Sequence, residues 1–151
     1  MNKYVLVSAV GEGRFPITAF DCALMRSGVG NYNLIKVSSI LPPDSRKEEK
    51  IDLPLGSLLP VAYSHIDARA AGEQITAAVS VGIPDDCENG VIMEHSGVGD
   101  PKKIVQDCED MIREAFALRN RPLKEILTEY ATVCCEEDTR CICAFAAIAM
   151  W

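Results

Sequence analysis

The chain has no surplus of positive charge. Its 151 residues carry 15 Lys and Arg against 22 Asp and Glu, a formal net charge of −7. A protein that wraps phosphate backbones needs the opposite balance, so no nucleic-acid partner is expected. Long hydrophobic runs are missing too. The stretch from Cys141 to Trp151 is the longest, far short of the ~20 residues of a membrane helix, so no membrane partner is expected. With 10 Gly and 8 Pro the chain is neither collagen-like nor of low complexity. Only two histidines occur, His65 and His95, in no Ser-His-Asp order, and each reads as a structural histidine. The opening MNKYVLVSAV lacks the full set of secretory-signal features. Together with an odd count of seven cysteines, that points to free thiols in a reducing cytoplasm.

What is present suits one globular domain. At 48% hydrophobic and 25% charged residues the chain can bury a core and is too apolar for disorder. Its acidity biases encounter toward cationic small molecules.

Lys3 to Val10 alternates and is rich in Val, which predicts a strand broken by Gly11, Gly13 and Pro16. Ile17 to Ser27 turns helical, with Phe20, Ala23 and Leu24 on one face and Gly28 at the stop. Gly28-Val29-Gly30 is a helix end and turn, since a phosphate loop would follow a strand and carry a third glycine. Asn33 to Ile40 reads as one extended segment ended by Pro42-Pro43. Asp44 to Asp52, DSRKEEKID, reads as a solvated, mobile loop. Strands are expected over Leu58–Ser64, Gln74–Ile83 and Gly90–Glu94. Asp100-Pro101 opens a second helix with an apolar stripe of Ile104, Cys108, Met111, Ile112 and Ala115. Ile126–Cys134 and Cys141–Ile148 read as two strands of a hairpin joined by EEDTR. This order indicates an α+β sandwich without an internal linker.

Two places could carry chemistry. Cys134, Cys135, Cys141 and Cys143 put four thiols within ten residues. Adjacent strand residues point to opposite faces, so Cys134 and Cys135 do not readily share an ion. No metal site is expected, and the four read as thiols of a hairpin; a metal- or redox-sensing role is the alternative. The second place is Ser38-Ser39, at the end of an apolar strand before a Pro-Pro break. Ser-Ser commonly just closes a strand. Where the backbone is strained and the carbonyl before the second serine is polarised, that serine's hydroxyl can instead attack it. The amide becomes an ester, elimination breaks the chain, and the second serine ends as a pyruvoyl group.

The stretch from Ala19-Phe20-Asp21 through Asn33-Leu34-Ile35-Lys36-Val37-Ser38-Ser39-Ile40-Leu41-Pro42 resembles the pyruvoyl-dependent arginine decarboxylases. So do Leu58-Leu59-Pro60-Val61-Ala62-Tyr63, Gly82-Ile83-Pro84 and the segment GVIMEHSG around Glu94, in the same order. The resemblance implies an α+β fold, an αββα-type sandwich of mostly antiparallel sheets with two main helices, assembled as a trimer with sites between subunits. It implies self-cleavage between Ser38 and Ser39 into a β chain (1–38) and an α chain (39–151). Ser39 would become a covalent pyruvoyl cofactor, and the reaction would turn L-arginine into agmatine and CO2 for polyamine synthesis. Glu94 would be the general acid, since a carboxyl in a dry pocket holds its proton more tightly. Asn33 would donate to the Ser38 carbonyl oxygen during cleavage, and Asp21 would pair with the substrate guanidinium. From the residues alone, Glu94 reads as a solvated strand-end carboxylate, Asn33 as a turn residue and Asp21 as an exposed helix position. The alternatives are the same mechanism on another amino acid and an uncleaved, non-catalytic trimeric paralogue.

Overall fold

The apolar run at the end of the chain sits at the centre of the molecule. In the computed structural model, which describes residues 1–68, 70–136 and 140–151, Cys141–Met150 forms strand β9. Its residues alternate between two cores. Ala144, Ala146, Ile148 and Met150 face one, while Cys141, Cys143, Phe145, Ala147 and Ala149 face the other. The period of two puts these sets on opposite faces of the pleat, and the alanines let neighbouring layers approach closely.

The remaining strands are β1 (Lys3–Gly13), β2 (Asn33–Lys36), β3 (Ile40–Leu41), β4 (Arg46–Lys47), β5 (Leu58–Ala68), β6 (Gln74–Pro84), β7 (Gly90–Val98) and β8 (Leu123–Cys134). Helix α1 spans Pro16–Arg26 and α2 spans Pro101–Leu118. One sheet has the order β2-β5-β9-β1-β4 and the other β3-β7-β6-β8. Pairing is antiparallel except for β1–β4 and β2–β5. The sheets face each other across a core that includes Tyr4, Ile75, Val79, Ile92 and Ile148. Helix α1 covers the outer face of the five-stranded sheet through Ala19 and Ala23, and α2 covers the four-stranded sheet through Ile112, Ala115 and Phe116. The result is the expected α+β sandwich in four layers, helix, sheet, sheet, helix.

The helix ends follow their capping residues. Asp100 Oδ1 accepts from the Lys102 N–H at 3.0 Å, and Pro101 fills the first turn. Helix α1 stops at Ser27, and Gly28 takes the left-handed conformation (φ +84°).

Four expectations change. Gly11 and Gly13 do not break β1; the strand runs through both, because α1 crosses it there. A Cβ on Gly11 would lie 2.2 Å from the Ala19 carbonyl oxygen. The segment 44–52 is not wholly loop, since Arg46 and Lys47 form β4 beside Lys3 and Tyr4. Lys3 Nζ also holds Asp52 at 2.6 Å. Strands β8 and β9 are not a hairpin. β8 pairs with β6 and β9 with β1 and β5, so the connection passes from one sheet to the other. Part of it, 137–139, lies outside the described residues. Finally, 33–40 is two strands, and they belong to different sheets.

Candidate active site

The split of 33–40 places Ser38 and Ser39 at the crossover between the sheets. On one side β2 runs parallel to β5, and its register continues through the Val37 N–H, which donates to the Val61 carbonyl at 3.1 Å. On the other side Ile40 pairs with Val91 of β7. The chain turns between them. The Ile40 N–H donates to the Ser38 carbonyl at 2.9 Å, closing a three-residue turn centred on Ser39. The Ser39 carbonyl accepts from the Ile92 N–H, also at 2.9 Å. Ser38 is exposed and Ser39 half-buried. Among the described residues the non-glycine positions with positive φ are Asp44, Cys87 and Asn120, so the turn at Ser39 carries none of that backbone strain. Of the two conditions for attack, the structure supplies the polarised carbonyl and shows no positive φ at Ser39.

Glu94 comes to the same place from 55 residues away. Residues alternate along β7, so Ile92 and Glu94 share the face toward the opposite sheet. Ser39 Oγ donates to Glu94 Oε2 at 2.9 Å. Beside this pair lies an open groove of about 450 Å³ where β5 and β7 approach each other. Lys36, Tyr63, His65, Glu94 and Ser96 are among its lining residues. Lys36 Nζ sits 4.5 Å from the Tyr63 ring centroid, a cation–π distance. The His65 ring lies 4.7 Å from that of Phe20 on α1, tilted by 44°, and Ser96 Oγ donates to the His65 carbonyl at 3.3 Å, joining β7 to β5.

Asn33 and Asp21 lie elsewhere. The Asn33 amide donates to the Gly56 carbonyl at 2.6 Å. An extended run from 33 to 38 covers about 16 Å, so this amide does not reach Ser38 of its own chain. Asp21 is exposed on α1, one position past Phe20, and is not among the residues lining the groove. The cysteine cluster is divided between the layers. Cys134 ends β8, exposed, while Cys141 and Cys143 are buried on β9 of the other sheet. Among the described residues no three His, Cys, Asp or Glu side chains are grouped to hold a metal ion, and no helix is long and apolar enough to cross a membrane.

Sequence reasoning gives no site role to Lys36, Tyr63 or His65. Lys36 was detectable as the one charge inside an apolar strand. Tyr63 lies within the expected strand Leu58–Ser64, and His65, the next position on the same face, was detectable once the strand runs past Ser64.

These residues suit a pyruvoyl group at position 39. The Ser38 carbonyl is already polarised by a donor, the Ser39 carbonyl is fixed by Ile92, and a carboxyl lies against the Ser39 side chain.

Comparison with known proteins bears on this arrangement. The family model described as pyruvoyl-dependent arginine decarboxylase (PvlArgDC) matches residues 3–151. The chain is 40% identical over 151 residues to a protein of Methanococcus aeolicus named pyruvoyl-dependent arginine decarboxylase, covering 99% of this chain and 90% of that one. Proteins of the same name from Methanocaldococcus jannaschii and Pyrococcus furiosus are 39% and 33% identical, over 99% of this chain and 90% and 95% of theirs.

Proposed function

The chain belongs to the pyruvoyl-dependent arginine decarboxylase family, and from that premise we propose that it cleaves itself between Ser38 and Ser39 and then decarboxylates L-arginine to agmatine and CO2. The observation that carries this reading is the contact of Ser39 Oγ with Glu94 Oε2 at 2.9 Å, made where the chain crosses between sheets.

Cleavage begins with the Ser39 hydroxyl, which attacks the Ser38 carbonyl carbon. A C–O bond forms, the C–N bond breaks, and the hydroxyl proton ends on the freed amine. Elimination releases the Ser38 carboxylate, and water replaces the amine as ammonia. The β chain would then be 1–38 and the α chain 39–151. The pyruvoyl group so formed supplies a ketone that takes up the substrate amine and accepts the electron pair left as CO2 departs.

The chain's own residues do the rest. The groove offers both charge signs, Lys36 and Glu94, which matches an amino acid carrying both. Glu94, held against position 39, supplies the proton that the substrate α-carbon takes when the carboxyl has gone. Asp21 would pair with the guanidinium, and Asn33 would support the cleavage. Both lie off the groove of their own protomer, so we assign them to a neighbour's site in a trimer. The exposed edge strand β2 supports such a contact. Ile35 on it, with Leu55 and Leu58 beside it, is 42%, 73% and 66% exposed respectively. A reducing cytoplasm suits the free thiols of Cys22, Cys87 and Cys134.

Intact-mass spectrometry tests the first half, with two pieces split after Ser38 expected. CO2 release from a panel of amino acids tests the second, with arginine expected to lead. A single uncleaved chain that releases CO2 from nothing would sink the reading.

A further inference from the structure

We propose that the peptide unit between Ser39 and Ile40 is itself an oxyanion donor of the self-cleavage, and that β7 aims it. The proposal rests on the cleavage reading above. When Ser39 Oγ adds to the Ser38 carbonyl carbon, negative charge gathers on the Ser38 oxygen. That oxygen already accepts the Ile40 N–H at 2.9 Å. It stays bonded to the same carbon in the tetrahedral state, so the donor remains in reach as the charge grows.

The direction of this donor is fixed from the far end of the same peptide plane. In a trans peptide the C=O and N–H point opposite ways, and the chain has no cis bond among the described residues. The Ser39 C=O is held by the Ile92 N–H at 2.9 Å, so the Ile40 N–H is turned toward Ser38. Ile92 stands two residues before Glu94 on β7. One strand therefore positions both the carboxylate that accepts the Ser39 hydroxyl and the plane that receives the charge. The Asn33 amide meanwhile faces Gly56.

The step is an internal acyl transfer. The Ser38 carbon exchanges its bond to the Ser39 nitrogen for one to the Ser39 oxygen, the hydroxyl proton passes to that nitrogen, and no oxidant or co-reactant takes part. The donor is needed only for this step, because Ser38 leaves on cleavage.

The test replaces residue 40 in the full chain with the α-hydroxy acid matching isoleucine, which keeps the side chain and removes the N–H. The same replacement at Val37 is the control. It deletes one hydrogen bond of like kind, to the Val61 carbonyl, on the other side of the scissile bond. Freshly made precursor is followed by intact mass. The residue-40 ester is expected to cleave roughly 100- to 1,000-fold more slowly than the unmodified chain, as for loss of one oxyanion donor, while the residue-37 ester cleaves near the unmodified rate. Equal rates for the two esters overturn the proposal and leave the cleavage reading standing. An unmodified chain that never cleaves removes both. If the residue-40 ester does not fold, hydrogen exchange at the Ile40 amide of the Ser39→Ala precursor decides. Protection supports the proposal, and exchange at the unprotected rate overturns it.

Discussion

A glutamine at position 94 keeps an oxygen to accept the Ser39 hydroxyl and loses the acidic proton. Glu94→Gln should therefore still self-cleave, while CO2 release from arginine falls roughly 100- to 10,000-fold, the range for loss of a general acid. Two-fragment mass spectra with near-normal turnover would remove Glu94 from the chemistry. At Asp21 the magnitude carries the information. A guanidinium–carboxylate pair in open solvent contributes about 1 kcal/mol or less, whereas breaking one buried by a neighbouring subunit costs about 3–5 kcal/mol. Asp21→Asn is expected at the larger value, read as a rise of more than 100-fold in KM for arginine with cleavage unchanged. A third expectation concerns acid stability. Arg121 holds Asp86 bidentately at 2.8 and 2.9 Å and keeps its carboxyl down at about 2. A carboxyl lowered on folding stabilises the fold above its unfolded value near 3.8 and loses that contribution as pH falls toward 2. The gap in urea midpoint between the native chain and Arg121→Gln should thus narrow from pH 4 to pH 2. Of these residues, Glu94 and Asp21 were found only by resemblance. Residue type gives a carboxylate no address, and Glu94 meets Ser39 only because β7 and the sheet crossover bring them together.

The helices were legible at the scale of elements, because caps and apolar stripes are local signals. Asp100-Pro101 and Gly28 mark their ends in the sequence itself. Sheet membership was not legible. Two apolar strands joined by EEDTR look the same whether they pair or cross between layers, and alternation over 33–40 does not record that β2 and β3 lie in different sheets. Gly11 misled for a related reason. A glycine in a strand reads as a breaker, yet here it is the point where another backbone passes. That difference can be measured. Gly11→Ala puts a Cβ 2.2 Å from the Ala19 oxygen and 2.3 Å from the Ala23 nitrogen, both backbone atoms that cannot swing aside. It should cost about 3 kcal/mol or more. Gly28→Ala meets open space and pays only for its positive φ, about 1 kcal/mol. Urea unfolding of the two variants should rank them in that order, and a reversal would mean that α1 does not cross β1 as described.

For the whole molecule, the position of the proposed cut between Ser38 and Ser39 decides what cleavage would do to the fold. Residues 1–38 carry β1, α1 and β2. Strand β1 is laddered to β9 from Tyr4–Met150 through Gly13–Cys141, and β2 to β5 from Asn33–Leu58 through Lys36–Val61. Residues 39 onward begin with β3 on β7, in the opposite sheet. Severing the crossover frees two ends that are already anchored in separate layers, so no ladder has to open. Each fragment also lacks half of a core. Ala19 and Ala23 pack against Phe145 and Ala147 across the cut, and neither fragment buries that surface alone. The cleaved protein should accordingly elute as one species under native conditions, at about three times the mass of one chain if the trimer forms, and part into two chains only in denaturant. Ser39→Ala, which has no attacking hydroxyl, should elute at the same volume as a single polypeptide. Fragments that separate without denaturant would show that the bond between residues 38 and 39 holds the sheets together, contrary to the ladders that span it.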